Sequence, residues 1–350
     1  MNVFSHGGDL KSLAEEACRP ERDILDFSVN LRPEGMPEFI VSALWKAMEN
    51  AVPYPSPDAA DLRELAAVHY GLPSGCFVFG NGANELIHAL PRALNLKQAV
   101  IPEPAFSEYR LACLRHGTDV LSIRTEERNS FLPSLCRLEE QAADGSAVFL
   151  ANPSNPSGGL LDAAALHRVV QSRPEVLWII DESFMDYVQG AESLLREAAL
   201  LPNLVVLRSL TKFYGMAGVR LGYCLCSDET LLEKMQTAGQ PWAVSSLAQA
   251  AGVAALKETA YVDEVRALIA RQRPVLTAGL RALGLRVIDG KANYLLFRAP
   301  ADLNERLRPL GTQVRSCANY PGLGPEWYRT AVRTAPENAR LLELMKEVLG

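Results

Sequence analysis

The sequence of 350 residues has no uninterrupted apolar run near the roughly 18 residues that a membrane-spanning helix needs. No transmembrane segment is expected. Positive charge is scarce as well: 35 Lys and Arg stand against 41 Asp and Glu, for a net charge of −6, and no basic cluster stands out. The electrostatic footprint of a nucleic-acid binder is missing. The seven cysteines, at 18, 76, 113, 136, 224, 226 and 317, are odd in number and include no CxxC pair. That pattern points to reduced thiols, with no disulfide framework and no metal. The opening run MNVFSHGGDLKSLAEE lacks the basic-then-apolar order of a secretory leader, so a cytoplasmic location is expected. These absences leave a small-molecule ligand as the expected partner.

What is present is a globular composition, 48% hydrophobic and 22% charged, in a chain long enough for a large domain with a smaller lobe. From about residue 58 to 236, short apolar runs alternate with helical patterns, the signature of an α/β domain around a largely parallel sheet. The strand candidates are CFVFGN, AVIPEP, AVFLANP, VLWIIDES, LVVLRSL and LGYCLCS. Helices are expected over DAADLRELAAVHYG, with Asp58 as N-cap, and over LDAAALHRVVQ, begun by Asp162. After QPWAV, two helical segments (about 245–257 and 260–283) precede short strands at LRVIDG, NYLLFRA, TQVRSC and YRTAVR. The expected organisation is an N-terminal arm over 1–40, a large domain over 41–240 and a small α+β domain over 241–350, the arm packing on the small domain.

In open α/β sheets, ligands collect at the carboxyl ends of the strands. Here CFVFGN runs into GNGANEL, AVFLA into NPSNPSGG, LWII into DES and VVLR into SLTK. Alone, each has a plainer reading: an ordinary strand-to-helix turn, a proline-glycine loop, an N-cap aspartate, a solvated lysine. Together they supply complementary chemistry. A lysine can form a Schiff base with an aldehyde, a carboxylate can keep a pyridine nitrogen protonated, and hydroxyls, an arginine and helix-end amides can hold a phosphate. Pyridoxal 5'-phosphate has all three handles.

These motifs resemble those of the fold-type-I pyridoxal-phosphate enzymes, the class I/II aminotransferase family, over nearly the whole chain. The resemblance implies a large domain with a mostly parallel seven-stranded sheet and a smaller α+β domain. It further implies that Lys212 bonds the cofactor, that Asp181 partners the pyridine nitrogen and that Asn155 hydrogen-bonds the ring hydroxyl. Ser209 and Arg220, with Thr211 assisting, match the phosphate ligands, and Gly82, Ala83 and Asn84 form the phosphate-cradling turn. Tyr109 in PAFSEYR corresponds to the aromatic stacked on the ring. Tyr54 in VPYPSPDAADL corresponds to a tyrosine that reaches the neighbouring subunit's cofactor, which implies a homodimer. The chain departs from many relatives at Phe184, where they have a tyrosine, and so loses one donor to the ring oxygen.

Substrate contacts are sought in the C-terminal part, where arginine forks suit carboxylate and phosphate. Arg315 and Arg329 match arginines that bind substrate anions. Arg333 has the same strand parity as Arg329 but reads more readily as a surface charge. Two groups within the family share these features. Histidinol-phosphate aminotransferases share the cofactor constellation and bind a substrate phosphate. Threonine-phosphate decarboxylases resemble the chain in further stretches: SHGGDL, LDFSVNLRPEGMP, RSLTKFYGMAGVRLGY, KANYLL, RSCANYPGL and YRTAVRTAPENARLL. The second resemblance implies loss of carbon dioxide from a phosphorylated amino acid in cobalamin biosynthesis. His6, Asn30, Asn155, Arg315 and Arg329 would then surround the substrate.

Overall fold

The computed structural model describes residues 7–350. A short strand β1 (Leu25–Asp26) precedes seven strands that form the central sheet: β2 (Phe77–Gly80), β3 (Gln98–Glu103), β4 (Asp119–Arg124), β5 (Ala147–Ala151), β6 (Leu177–Asp181), β7 (Leu204–Ser209) and β8 (Gly222–Leu225). Their spatial order is β2-β8-β7-β6-β5-β3-β4, and β8 runs antiparallel to both its neighbours while the other pairs are parallel. Apolar clusters lie on both faces, one centred on Val148, Ile180 and Val206 and the other on Phe149, Ile179 and Leu207. Successive residues of one strand alternate between the two, which explains why these strands read as continuous apolar runs.

The remaining strands are β9 (Arg286–Val287), β10 (Tyr294–Arg298), β11 (Thr312–Gln313), β12 (Arg315–Ser316) and β13 (Trp327–Ala331). β12-β13-β10-β9 make an antiparallel sheet, and β11 pairs instead with β1. That pairing, with a bond from Ala331 N to the Phe27 carbonyl, lays the segment from Leu25 to Asn30 beside β13. It also carries residues 28–31 to the central cavity.

Three local expectations change. β4, DVLSIR, escapes the apolar-run criterion because it is an edge strand with only Ile123 buried. TQVRSC is two strands in two sheets, broken at Val314, and not one. Asp58 does not cap its helix: the helix Ala60–Tyr70 begins after Ala59, Ala60 N donates to Ser56 Oγ at 3.1 Å, and Asp58 pairs with Arg63 at 3.1 Å. Asp162 does cap the helix Ala163–Ser172, accepting from Ala165 N at 2.8 Å. Among the described residues no helix is long and apolar enough to cross a membrane, and no cluster of His, Cys, Asp and Glu could hold a metal.

Candidate active site

A cavity of about 360 Å³ opens at the carboxyl ends of β5, β6 and β7. Its lining includes Ala83, Asn84, Tyr109, Asn155, Asp181, Ser209, Thr211, Lys212 and Arg220, with Asn30, Arg315 and Arg329 on the C-terminal side and Gly82 at the turn. The parallel topology explains the convergence, since every strand-to-helix loop of a parallel sheet emerges at the same edge.

Lys212 sits in a single helical turn, Leu210–Phe213, directly after β7. Its Nζ donates to Ser209 Oγ at 3.0 Å and lies 5.7 Å from the centre of the Phe184 ring. Burial lowers the ammonium from its ordinary 10.5 to about 8; Arg220 adds to this and Asp181 opposes it. The amine is therefore a usable nucleophile near neutral pH. Asp181, at the end of β6, accepts from Ser183 N at 2.8 Å through Oδ1 and from the Tyr109 hydroxyl at 2.6 Å through Oδ2. Burial and the adjacent Asp181 anion push the Tyr109 phenol well above its ordinary range, so it stays a donor.

Opposite the lysine, the turn after β2 enters the helix Ala83–Leu94 through Gly82, at φ +79°. A Cβ there would stand 2.5 Å from Arg220 Nη2, and one on Gly222 would stand 2.4 Å from Ala83 N. Both positions need glycine so that the guanidinium and the amides at the helix start can crowd together. Arg220 itself takes the left-handed conformation, φ 62°, uncommon for a residue with a side chain. The Ser209 and Thr211 hydroxyls are 2.8 Å apart, and the Asn84 side-chain carbonyl is buried without a partner among the described residues. Helix-start amides, a guanidinium and two hydroxyls make an anion cradle.

The other wall is cationic. Arg315 and Arg329 are directly paired across β12 and β13, so both side chains share one face. Like charges so placed repel, and an anion between them reverses the sign. Arg329 is 7% exposed; its Nη1 donates to Asn155 Oδ1 at 2.6 Å, its Nη2 to the Ser28 carbonyl at 3.1 Å, and its Nε is buried without a partner among the described residues. The Tyr320 hydroxyl also donates to Asn155 Oδ1, at 3.3 Å. With its carbonyl so engaged, Asn155 offers its amide donors. Asn30 is buried, and its side-chain carbonyl has no partner among the described residues.

The remaining residues are placed as follows. Tyr109 spends its hydroxyl on Asp181 and one face on Phe149 (centroids 5.7 Å apart), while Phe106, three residues earlier and overlooked in the sequence, is a second aromatic at the cavity. Arg333 is neither surface charge nor ligand: it binds Glu337 and the Asp26 carbonyl and lies over Phe27. Tyr54 is outside the cavity, 81% exposed and against Trp242. His6 lies outside the described residues. Tyr320 and Ser28 were also missed; their only sequence signal was membership of RSCANYPGL and LDFSVNLRPEGMP.

The fold is that of the fold-type-I pyridoxal-phosphate enzymes: residues 22–346 match aminotransferase class I and II, and the chain belongs to that family. Within it, the chain is similar to the threonine-phosphate decarboxylase of Salmonella typhimurium, 34% identical over 358 residues that span 100% of this chain and 98% of the relative. The histidinol-phosphate aminotransferase of Symbiobacterium thermophilum is 33% identical over 337 residues, spanning 94% of this chain and 91% of the relative. Among solved structures, histidinol-phosphate aminotransferase from Clostridium acetobutylicum matches with a TM-score of 0.88 at 26% identity, covering 93% of this chain and 99% of that one. The Sinorhizobium meliloti enzyme, in complex with pyridoxal-5'-phosphate, shares the fold at a TM-score of 0.83 and 21% identity, covering 100% of this chain and 99% of that one.

Proposed function

We propose that the protein decarboxylates L-threonine O-3-phosphate to an aminopropanol phosphate, using pyridoxal 5'-phosphate held by Lys212, Asp181 and the anion cradle. The observation that carries a doubly anionic amino-acid substrate is the cross-strand pair Arg315 and Arg329 lining the same cavity as the lysine. The full-length similarity to a threonine-phosphate decarboxylase supports the reaction. The cradle fits the cofactor's phosphate: a side chain on Gly82 would crowd the Arg220 guanidinium and one on Gly222 the Ala83 amide, so glycine at both keeps these donors clear. Asp181, fixed by Ser183 N and Tyr109, fits a protonated ring nitrogen. Asn155 fits the ring hydroxyl.

When bound, the cofactor supplies an aldehyde that bonds amines and a conjugated ring that accepts the electron pair of the bond broken at the substrate's α-carbon. The chain's own groups then direct the outcome. Arg329, Arg315, Asn30 and His6 hold the substrate's carboxylate and phosphate, and their placement decides which α-carbon bond stands perpendicular to the ring. Lys212 Nζ in its unprotonated form, favoured above about pH 8, would bond the cofactor's aldehyde, and in its protonated form would donate a proton to the α-carbon that has lost carbon dioxide. Tyr54, exposed on this chain, is assigned to the neighbouring site of a homodimer.

A second reading is a transaminase acting on histidinol phosphate, favoured by the 33% identity to such an enzyme. One assay separates them. The purified protein with pyridoxal phosphate and threonine phosphate should release carbon dioxide. Glutamate formed from 2-oxoglutarate and histidinol phosphate, with no carbon dioxide from threonine phosphate, sinks the decarboxylase reading.

A further inference from the structure

Glu182 and Arg208 adjoin two cavity residues, Asp181 and Ser209, yet neither lines the cavity. Strand alternation turns them to the opposite face of the sheet. There Arg208 Nη1 donates to Glu182 Oε2 at 2.9 Å and Nη2 pairs with Asp186; the Glu182 and Arg208 side chains are 0% and 6% exposed. Glu182 also accepts from Leu194 N at 2.8 Å and from the Ser193 hydroxyl at 2.5 Å. Two buried charges with a third, Asp186, half-buried beside them are an expensive way to stabilise a sheet, because apolar side chains of similar volume commonly do as well.

Their position accounts for them better. The backbone ladder between β6 and β7 ends with Asp181 opposite Leu207 and a last bond from Glu182 N to the Leu207 carbonyl at 2.8 Å. The Glu182–Arg208 pair ties the two strands together where that ladder stops. From Asp186 the connection continues: Arg266 Nε donates to the Asp186 carbonyl at 2.8 Å, and the hydroxyl of the next residue, Tyr187, donates to the Lys212 carbonyl at 2.8 Å. Arg32 N reaches the same carbonyl at 3.1 Å. The underside of the lysine turn is thus bound to a fixed ionic cluster.

We infer that Arg208 is a positioning residue: by bridging Glu182 and Asp186 it holds the ends of β6 and β7, and through Tyr187 the Lys212 turn, at the separation the cofactor requires. The inference rests on Lys212 being the cofactor-bonding lysine. Its test uses purified protein loaded with pyridoxal phosphate. Arg208→Gln should raise the cofactor's dissociation constant by about tenfold or more, as expected for loss of a charged hydrogen bond that orients the site, and should alter the maximum of the visible band. Arg208→Lys, which keeps the charge without the fork, should fall between Arg208→Gln and wild type in both readouts. As a comparison, Arg173→Gln removes an arginine that joins Asp144, Glu175 and two carbonyls near the sheet's amino-terminal end. It should lower the melting temperature and leave both cofactor readouts alone.

If Arg208→Gln lowers only the melting temperature, or if Arg208→Lys is as impaired as Arg208→Gln, the inference is overturned. Should Arg208→Gln fail to fold, Asp186→Asn breaks one arm of the bridge, and an unchanged dissociation constant and band in that variant overturn it equally. A wild-type protein without a visible band overturns the cofactor reading first, and this inference with it.

Discussion

Replacing Lys212 by methionine should stabilise the cofactor-free protein while destroying its function. Burial lowers the Lys212 ammonium from 10.5 to about 8, so the folded protein binds this proton more weakly than the unfolded chain does. The gap corresponds to roughly 3 kcal/mol of stability withheld at pH 7. Between the two values the unfolded chain holds more protons, so the penalty is complete below about 8 and is relieved as pH rises toward 10.5. Methionine is also unbranched, only one heavy atom shorter, and has no proton to lose. It forfeits the bond from Nζ to Ser209 Oγ at 3.0 Å, worth about 1 kcal/mol. The net expectation is a gain of roughly 2 kcal/mol at pH 7 that largely disappears by about pH 9.5. Urea unfolding of both cofactor-free proteins at the two pH values measures it. A variant equally stable or less stable than wild type at pH 7, with no change in the difference at the higher pH, refutes the reasoning. The same variant should show no visible band with pyridoxal phosphate.

Gly82→Ala places a Cβ 2.5 Å from Arg220 Nη2 at φ +79°; the dissociation constant for the cofactor should rise about tenfold or more, read by visible titration. Arg329→Lys loses the fork that serves Asn155 and Ser28, so the KM for a phosphorylated amino acid should rise about 30-fold or more while cofactor affinity changes little; equal losses of both would mark Arg329 as a support for Asn155 alone. Tyr109→Phe removes the 2.6 Å donor from Asp181 and should lower kcat about tenfold with KM nearly unchanged, an effect of one charged hydrogen bond.

The half of the cavity proposed for the cofactor was legible because its residues follow short apolar strands: Asp181 after LWII and Lys212 after VVLRSLT put their chemistry where a parallel sheet must deliver it. The substrate half was legible only through resemblance, since Arg315 and Arg329 become partners through a register between β12 and β13 that no local pattern encodes. Arg333 shows the limit of parity: the strand ends at Ala331, and the residue turns to Glu337 instead. The Glu182–Arg208 pair was invisible for a related reason. Each charged residue lies beside a cavity residue in sequence, and only the pleat separates them onto opposite faces. Asp58 lost its capping role to Ser56 because the chain enters that helix through a left-handed Ala59.

Borohydride reduction of the protein loaded with pyridoxal phosphate, followed by peptide mapping, tests the central claim that the lysine in SLTKFYGMAGVR is the one that bonds the cofactor. The account predicts a single stable pyridoxyl phosphate adduct, on the peptide containing Lys212, and its absence in Lys212→Met. An adduct on another lysine, or a reduced protein carrying none, would contradict it.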